Sequence, residues 1–210
     1  MTLADPNVDP VYAAALLRRA AALQTEANSV LRTLDLLAML SVLGQPEHIG
    51  SSVSGLMVFP DIDITVRCRD LTLERAWEAL RPLLVNPRVA RIDYRNQTGA
   101  RSPSGTSADE RLYVVLRYES ELRTEWKIDL SLWTSDPPRP HLDELTDLMR
   151  RLTDETRLAI LWIKDVWCRL PVYPDVISGY EVYGAVLDHG VRTPDDFDTF
   201  LRAQGLPGRL

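Results

Sequence analysis

Two carboxylates one residue apart, Asp61 and Asp63, lie in the run LMVFPDIDITV (56–66), with nine residues between Ser51 of a Gly50-Ser51 pair and Asp61. In a β-strand, residues i and i+2 share a face. Asp61 and Asp63 then project together, and Ile62 and Ile64 point the other way, into a core. Two adjacent carboxylates repel, and each favours its protonated form. A divalent cation removes that penalty, and Mg2+ takes hard oxygen ligands, typically one or two carboxylates with substrate phosphates and water. Asp129, in WKIDLSLW (126–133), stands between Ile128 and Leu130 in the same local pattern. If its strand neighbours the first, three acids converge. Three acids suit two ions gripping an in-line phosphoryl displacement.

Gly50, Ser51, Ser52 and Gly55 are small. A glycine lets backbone approach phosphate oxygens closely, and N–H and hydroxyl donors can hold them. No Gly-Lys-Ser/Thr follows, so this is not a Walker loop. An Asp-x-Asp pair taken alone is also what the solvated face of an edge strand looks like. The Gly-Ser pair and the third acid turn the reading towards chemistry. His48 reads as structural, and Lys127 as a solvated residue facing opposite to Ile128 and Leu130, the neighbours of the third acid.

The pattern Gly-Ser, about ten residues, Asp-hydrophobic-Asp-hydrophobic, then an Asp on a later strand resembles the DNA polymerase beta-type nucleotidyltransferase superfamily. The likeness covers roughly residues 45–133. It implies that Gly50 and Ser51 hold a nucleoside triphosphate and that Asp61 and Asp63 bind two Mg2+ ions, with Mn2+ as a substitute. It implies that Asp129 completes the metal site and helps to activate an acceptor hydroxyl. A second likeness lies in TDETRLAILWIKDVW and ISGYEVYGAVLDHG, which are similar to helical segments of archaeal CCA-adding enzymes and oligoadenylate synthetases. There a basic helix and a Ser-Gly-Tyr turn border the nucleotide, which points to Arg157, Lys164, Ser178, Gly179 and Tyr180. Where that family has a lysine one turn after the arginine, Ile160 stands here.

These residues need elements to position them. Residues 11–43 are rich in Ala and Leu at helical spacing, as two helices or one bent one, ended by Gly44, Gln45 and Pro46. Residues 56–66 read as a strand or hairpin with a bend at Pro60. Residues 72–84 read as an amphipathic helix with Leu73, Trp77, Leu80 and Leu84 on its stripe. Runs 88–94, 111–118 and 126–133 read as strands. The polar stretch 95–109 is long for a loop, and loops of that length are usually functional or disordered. After SDPPRP (135–140) the pattern is helical over about 141–151, 154–168, 177–189 and 195–203. Thr193, Pro194 and Asp196 supply the N-cap, N1 proline and N3 acid of the last helix.

The fold expected is α/β (α+β): a mixed β-sheet flanked by helices, with a helical C-terminal part. The expected division is a catalytic domain over 1–137 with N-terminal helices, and a helical region over 138–210. Of 210 residues, 45% are hydrophobic and 26% charged, which are globular values. The net charge of −6 argues against broad electrostatic capture of nucleic acid. Cys68 and Cys168 form no metal cluster and suit a reducing compartment. No apolar run is long enough to span a membrane, and the start of the chain has no signal-peptide pattern. A cytoplasmic protein is expected. The function expected is transfer of a nucleoside monophosphate from an NTP such as ATP to a hydroxyl acceptor, with a small molecule or protein favoured. The alternatives are transfer to an RNA or tRNA end, and an inactive nucleotide-binding or toxin–antitoxin partner protein.

Overall fold

The computed structural model describes residues 8–135 and 140–209, with side chains again from 144 onward. Most of the SDPPRP boundary, and the side chain of His141, lie outside the described residues. The chain forms two compact units: Met1–Leu23, Ser54–Val58 and Glu144–Leu210 make one, and Gln24–Val53 with Phe59–Asp143 the other.

The second unit is built on a five-stranded sheet: β1 (Gly44–Ile49), β2 (Asp61–Cys68), β3 (Val89–Gln97), β4 (Arg111–Glu119) and β5 (Glu125–Trp133). The spatial order is β1-β2-β5-β4-β3. β2 and β5 run parallel, and the other three pairs are antiparallel. The sheet is therefore mixed, as expected. Its alternation sends Ile62, Ile64, Val66, Ile128, Leu130, Leu132, Val114 and Leu116 to one face, all buried. Burying such a side chain contributes about 1.5–3 kcal/mol, so this face sets the register of every strand. A slip of one residue would put the acids into the core.

One helix of this unit is α4 (Leu73–Leu84), which the oxygen of Thr72 caps by accepting from the Arg75 backbone N–H at 3.3 Å. Its buried face is Ala76, Ala79, Leu80 and Leu83, whereas Leu73 and Leu84 are exposed. The expected stripe is thus turned by about one residue: it followed the largest side chains, while the packed face uses two alanines. Trp77 meets Tyr94 of β3 edge-on at 4.9 Å.

Residues 11–43 form α1 (Pro10–Thr33) and α2 (Leu36–Leu40), two helices as expected. Gln24 and Glu26 of α1 belong to the sheet unit. Glu26 accepts hydrogen bonds from Ser120 Oγ at 2.5 Å and Trp126 Nε1 at 3.1 Å. Gly44, Gln45 and Pro46 do more than end the helices: they open strand β1. That strand has few β-branched residues and a proline, and both are tolerated because it lies at the sheet edge. The 95–109 stretch is shorter as a loop than expected, since β3 extends to Gln97 and two 3-10 turns, Gly99–Arg101 and Ser107–Asp109, follow.

The other unit is helical: the first half of α1 with α5 (Pro140–Arg151), α6 (Asp154–Trp167), α7 (Gly179–His189) and α8 (Pro194–Ala203). Trp167 is fully buried and meets Phe197 edge-on at 5.1 Å. Asp165 accepts from Tyr12 Oη at 2.7 Å and pairs with Arg19 and Arg169. Burial would raise the Asp165 pKa, but the hydrogen bonds from Tyr12 and Arg19 outweigh it and hold it below the usual carboxylate value. The last helix is capped as its sequence predicts: Thr193 Oγ1 accepts from the Asp196 N–H at 3.1 Å, and Asp196 accepts from the Thr193 N–H at 3.2 Å. No helix among the described residues is long and apolar enough to cross a membrane.

Candidate active site

The polar face of the sheet carries the acids. Asp61 and Asp63 alternate along β2 with Ile62 and Ile64, and β5 pairs in parallel so that Asp63 is the register partner of Asp129. One carboxylate oxygen from each of Asp61, Asp63 and Asp129 lies within 4.8 Å of the others. Strand neighbourhood, the condition for the three acids to converge, is met in the sheet.

Asp129 is held tightly. Its Oδ2 accepts from Tyr113 Oη at 2.5 Å and from Lys127 Nζ at 2.7 Å. Its Oδ1 is buried without a hydrogen-bond partner among the described residues. A buried acceptor left open is costly unless something fills the position. Three hard oxygen donors in reach of one another fit a divalent cation such as Mg2+.

Lys127 faces opposite to Ile128 and Leu130, as expected, but it is not simply solvated: its ammonium bridges Asp129 and, at 3.5 Å, Asp61 Oδ1. The reason is the strand period of two, which places Lys127 and Asp129 on one face, and the register, which sets Lys127 beside Asp61. Burial would lower the Lys127 pKa, but Asp61 and Asp129 outweigh it and raise it. The Tyr113 phenol is also held protonated, first by burial and then by its bond to Asp129. Sequence reasoning missed Tyr113. The signal was there in RLYVVLRY, where Arg111 and Tyr113 are out of phase with the buried Leu112 and Val114.

Gly50 has φ +79° and lies against Asp63: a Cβ there would overlap Asp63 Oδ2 and sit 3.1 Å from its Cγ. The one-turn helix α3 (Ser51–Ser54) follows at once, with the Val53 N–H donating to Gly50 O at 3.2 Å. Ser52 is buried, and its Oγ meets His48 Nε2 at 2.7 Å. His48 is thus the structural residue expected, and burial lowers its pKa. Gln24 Nε2 steadies the turn by donating to Ser52 O and Val53 O, both at 3.2 Å.

The helical unit holds the remaining candidates. Arg157 Nη1 donates to Ser54 O at 2.8 Å and Gly55 O at 3.4 Å. Lys164, buried at 2% exposure, donates to Leu56 O at 2.6 Å and to Tyr183 Oη at 3.3 Å. These two cations, seven residues apart on α6, hold three consecutive carbonyls. Ser178 caps α7: its Oγ accepts from the Tyr180 N–H at 3.1 Å and lies 2.6 Å from Glu181 Oε2. Tyr180 is 53% exposed.

No family model matches the sequence, and no curated protein matches it significantly. Solved structures do. One is a cytoplasmic RNA terminal U-transferase, at 18% identity and a TM-score of 0.57, covering 78% of this chain and 47% of that one. Another is the Cid1 poly(U) polymerase with MgGTP bound, at 16% identity and a TM-score of 0.59, covering 85% and 55%. The chain spans about half the length of these structures. At such identity the likeness is one of fold alone, and it agrees with the mixed sheet flanked by helices. The chain shares the nucleotidyltransferase fold of these structures.

Proposed function

We propose that this protein transfers a nucleoside monophosphate from an NTP to an acceptor hydroxyl. The acceptor oxygen bonds to the α-phosphorus, the bridge to the β-phosphate breaks, and pyrophosphate leaves with that electron pair. The observation that carries the reading is the convergence of Asp61, Asp63 and Asp129 on one sheet face, with Asp129 Oδ1 open.

Asp61, Asp63 and Asp129 are the residues that would hold two Mg2+ ions. Bound there, the ions would neutralise phosphate charge and lower the pKa of the attacking hydroxyl. The protein's own groups do the rest. Tyr113 fixes the rotamer of Asp129, which is placed to orient the hydroxyl and take its proton. Lys127 supplies a fixed counter-charge to two of the acids. Gly50 leaves room for Asp63, and the Gly50-Ser51 turn is the candidate triphosphate cradle. Arg157 and Lys164 act by fixing residues 54–56, and exposed Tyr180 is the candidate for stacking on a base. The similarity to RNA-extending enzymes keeps an RNA acceptor beside a small molecule or protein.

The test is pyrophosphate release with each of the four NTPs and Mg2+, together with thermal melting. Wild type should release pyrophosphate and melt higher with at least one NTP in the presence of metal, as binding to the native state demands. The Asp61→Asn/Asp63→Asn variant should stay folded and lose both. Activity surviving in that variant would overturn the metal-site assignment.

A further inference from the structure

The same sheet face carries a cation that the chemistry above does not use. Arg111 opens β4, whose pairing sets Arg111 opposite Trp133, Tyr113 opposite Ser131 and Val115 opposite Asp129. Its Nε donates to Gln97 Oε1 at 2.7 Å and its Nη1 to Ser131 Oγ at 3.1 Å. Its guanidinium carbon lies 4.7 Å from the Tyr113 ring centroid and 5.0 Å from that of Trp133. Trp133 is itself fixed, donating from Nε1 to Thr65 Oγ1 at 2.7 Å. Arg95 of β3 adds a second guanidinium, 5.8 Å from the Tyr113 ring centroid.

Gln97, Ser131 and the two rings orient Arg111 without cancelling its charge. Among the described residues, no carboxylate lies within ion-pair distance of Arg111 or Arg95. A half-buried guanidinium braced this way is pre-organised for a planar, two-pronged bond to an oxyanion. Its position is set by the sheet. Ser131, which Arg111 touches, is two residues along β5 from Asp129, a separation of about 7 Å. That is about the span of a pentose between a hydroxyl and its own phosphate.

We propose that Arg111, with Arg95 beside it, binds a phosphate group of the acceptor. The acceptor is then a phosphorylated sugar hydroxyl of the nucleotide class, not a neutral or cationic compound. This rests on the reading that Asp129 faces the acceptor hydroxyl, and it narrows the acceptor that reading leaves open.

Ribose 5-phosphate and ribose are the probes, titrated calorimetrically against the whole protein with EDTA present. Ribose 5-phosphate should bind wild type and ribose should not. Arg111→Gln should weaken binding about tenfold, and Arg111→Lys by less, since charge remains and the fork is lost. Asp61→Asn/Asp63→Asn should bind at least as well as wild type. Should Arg111→Gln fail to fold, exposed Arg95→Gln carries the test, with a loss of about threefold expected for a rim charge. No binding to wild type, or unchanged affinity in the arginine variant that folds, overturns the proposal. Pyrophosphate release by wild type, measured in parallel, separates the two readings. If release persists while the phosphate site fails, the inference alone falls. If release persists in the double aspartate variant, the catalytic assignment falls instead.

Discussion

Gly50 lies directly against the carboxylate of Asp63, with a left-handed backbone at φ +79° and no room for a Cβ. The turn proposed as the triphosphate cradle and one of the paired acids are thereby a single packed feature. Gly50→Ala adds a strained backbone, worth about 1–2 kcal/mol, and a methyl group that must push Asp63 aside. We expect a loss of about a hundredfold in pyrophosphate release, since small displacements of catalytic groups cost that much. Urea melts should show a drop of about 1–3 kcal/mol. Near wild-type release from this variant would show that Asp63 need not stay where it is.

Lys127 pairs with two of the three carboxylates proposed to hold a divalent cation, and would compete with it. Removing the ammonium with Lys127→Met leaves three acids without it. A fully buried pair broken on one side costs about 3–5 kcal/mol. These side chains keep 12–25% exposure, so the cost should be smaller. The metal-free variant should melt lower than wild type, and Mn2+ should raise its melting temperature by more than it raises that of wild type. A smaller rise in the variant would mean that Lys127 assists metal binding.

His48 gives a pH signature. Burial lowers its pKa in the folded state. As pH falls below about 6.5, the unfolded chain takes up this proton before the folded protein does. The stability is present above that pH and is lost as pH falls towards the folded pKa. Wild type should therefore lose more stability between pH 7.5 and 5.5 than His48→Gln, in which the glutamine can still meet Ser52. Parallel curves for the two proteins would remove His48 from the pH response.

Lys164 separates a structural from a ligand-binding role. It is buried and donates to the Leu56 carbonyl. Lys164→Met should destabilise the protein by about 1–3 kcal/mol by stranding that acceptor. Tyr180→Ala, at an exposed position, should leave the melting temperature unchanged and raise the KM for the NTP. If Lys164→Met instead melts like wild type and only weakens NTP binding, the ammonium belongs to the nucleotide.

Much of this was legible along the chain because it depends on local periods. Alternation in DIDITV and WKIDLSLW separates acid from core within single strands. Helix α8 follows from Thr193, Pro194 and Asp196, whose capping acts within one turn. The stripe of α4 was misread because hydrophobicity ranks Leu73 and Leu84 above Ala76 and Ala79, whereas close packing against a sheet favours the small residues. β1 was missed because an edge strand draws its stability from a neighbour and needs little β propensity of its own.

The sequence by itself determined which residues could do chemistry, Asp61, Asp63 and Asp129 above all, since charge within an apolar strand is a local fact. Only the tertiary structure decided what surrounds them. The parallel pairing of β2 with β5 brings Asp129 to Asp63 across 65 intervening residues. The same register, acting through the strand period of two, sets Lys127 between the acids, and β4 brings Tyr113 and Arg111 to their face. Packing likewise placed Lys164 inside, on a backbone carbonyl. Contacts of this kind depend on which strands become neighbours, and that choice is made by the burial of the whole opposite face, not by any one segment.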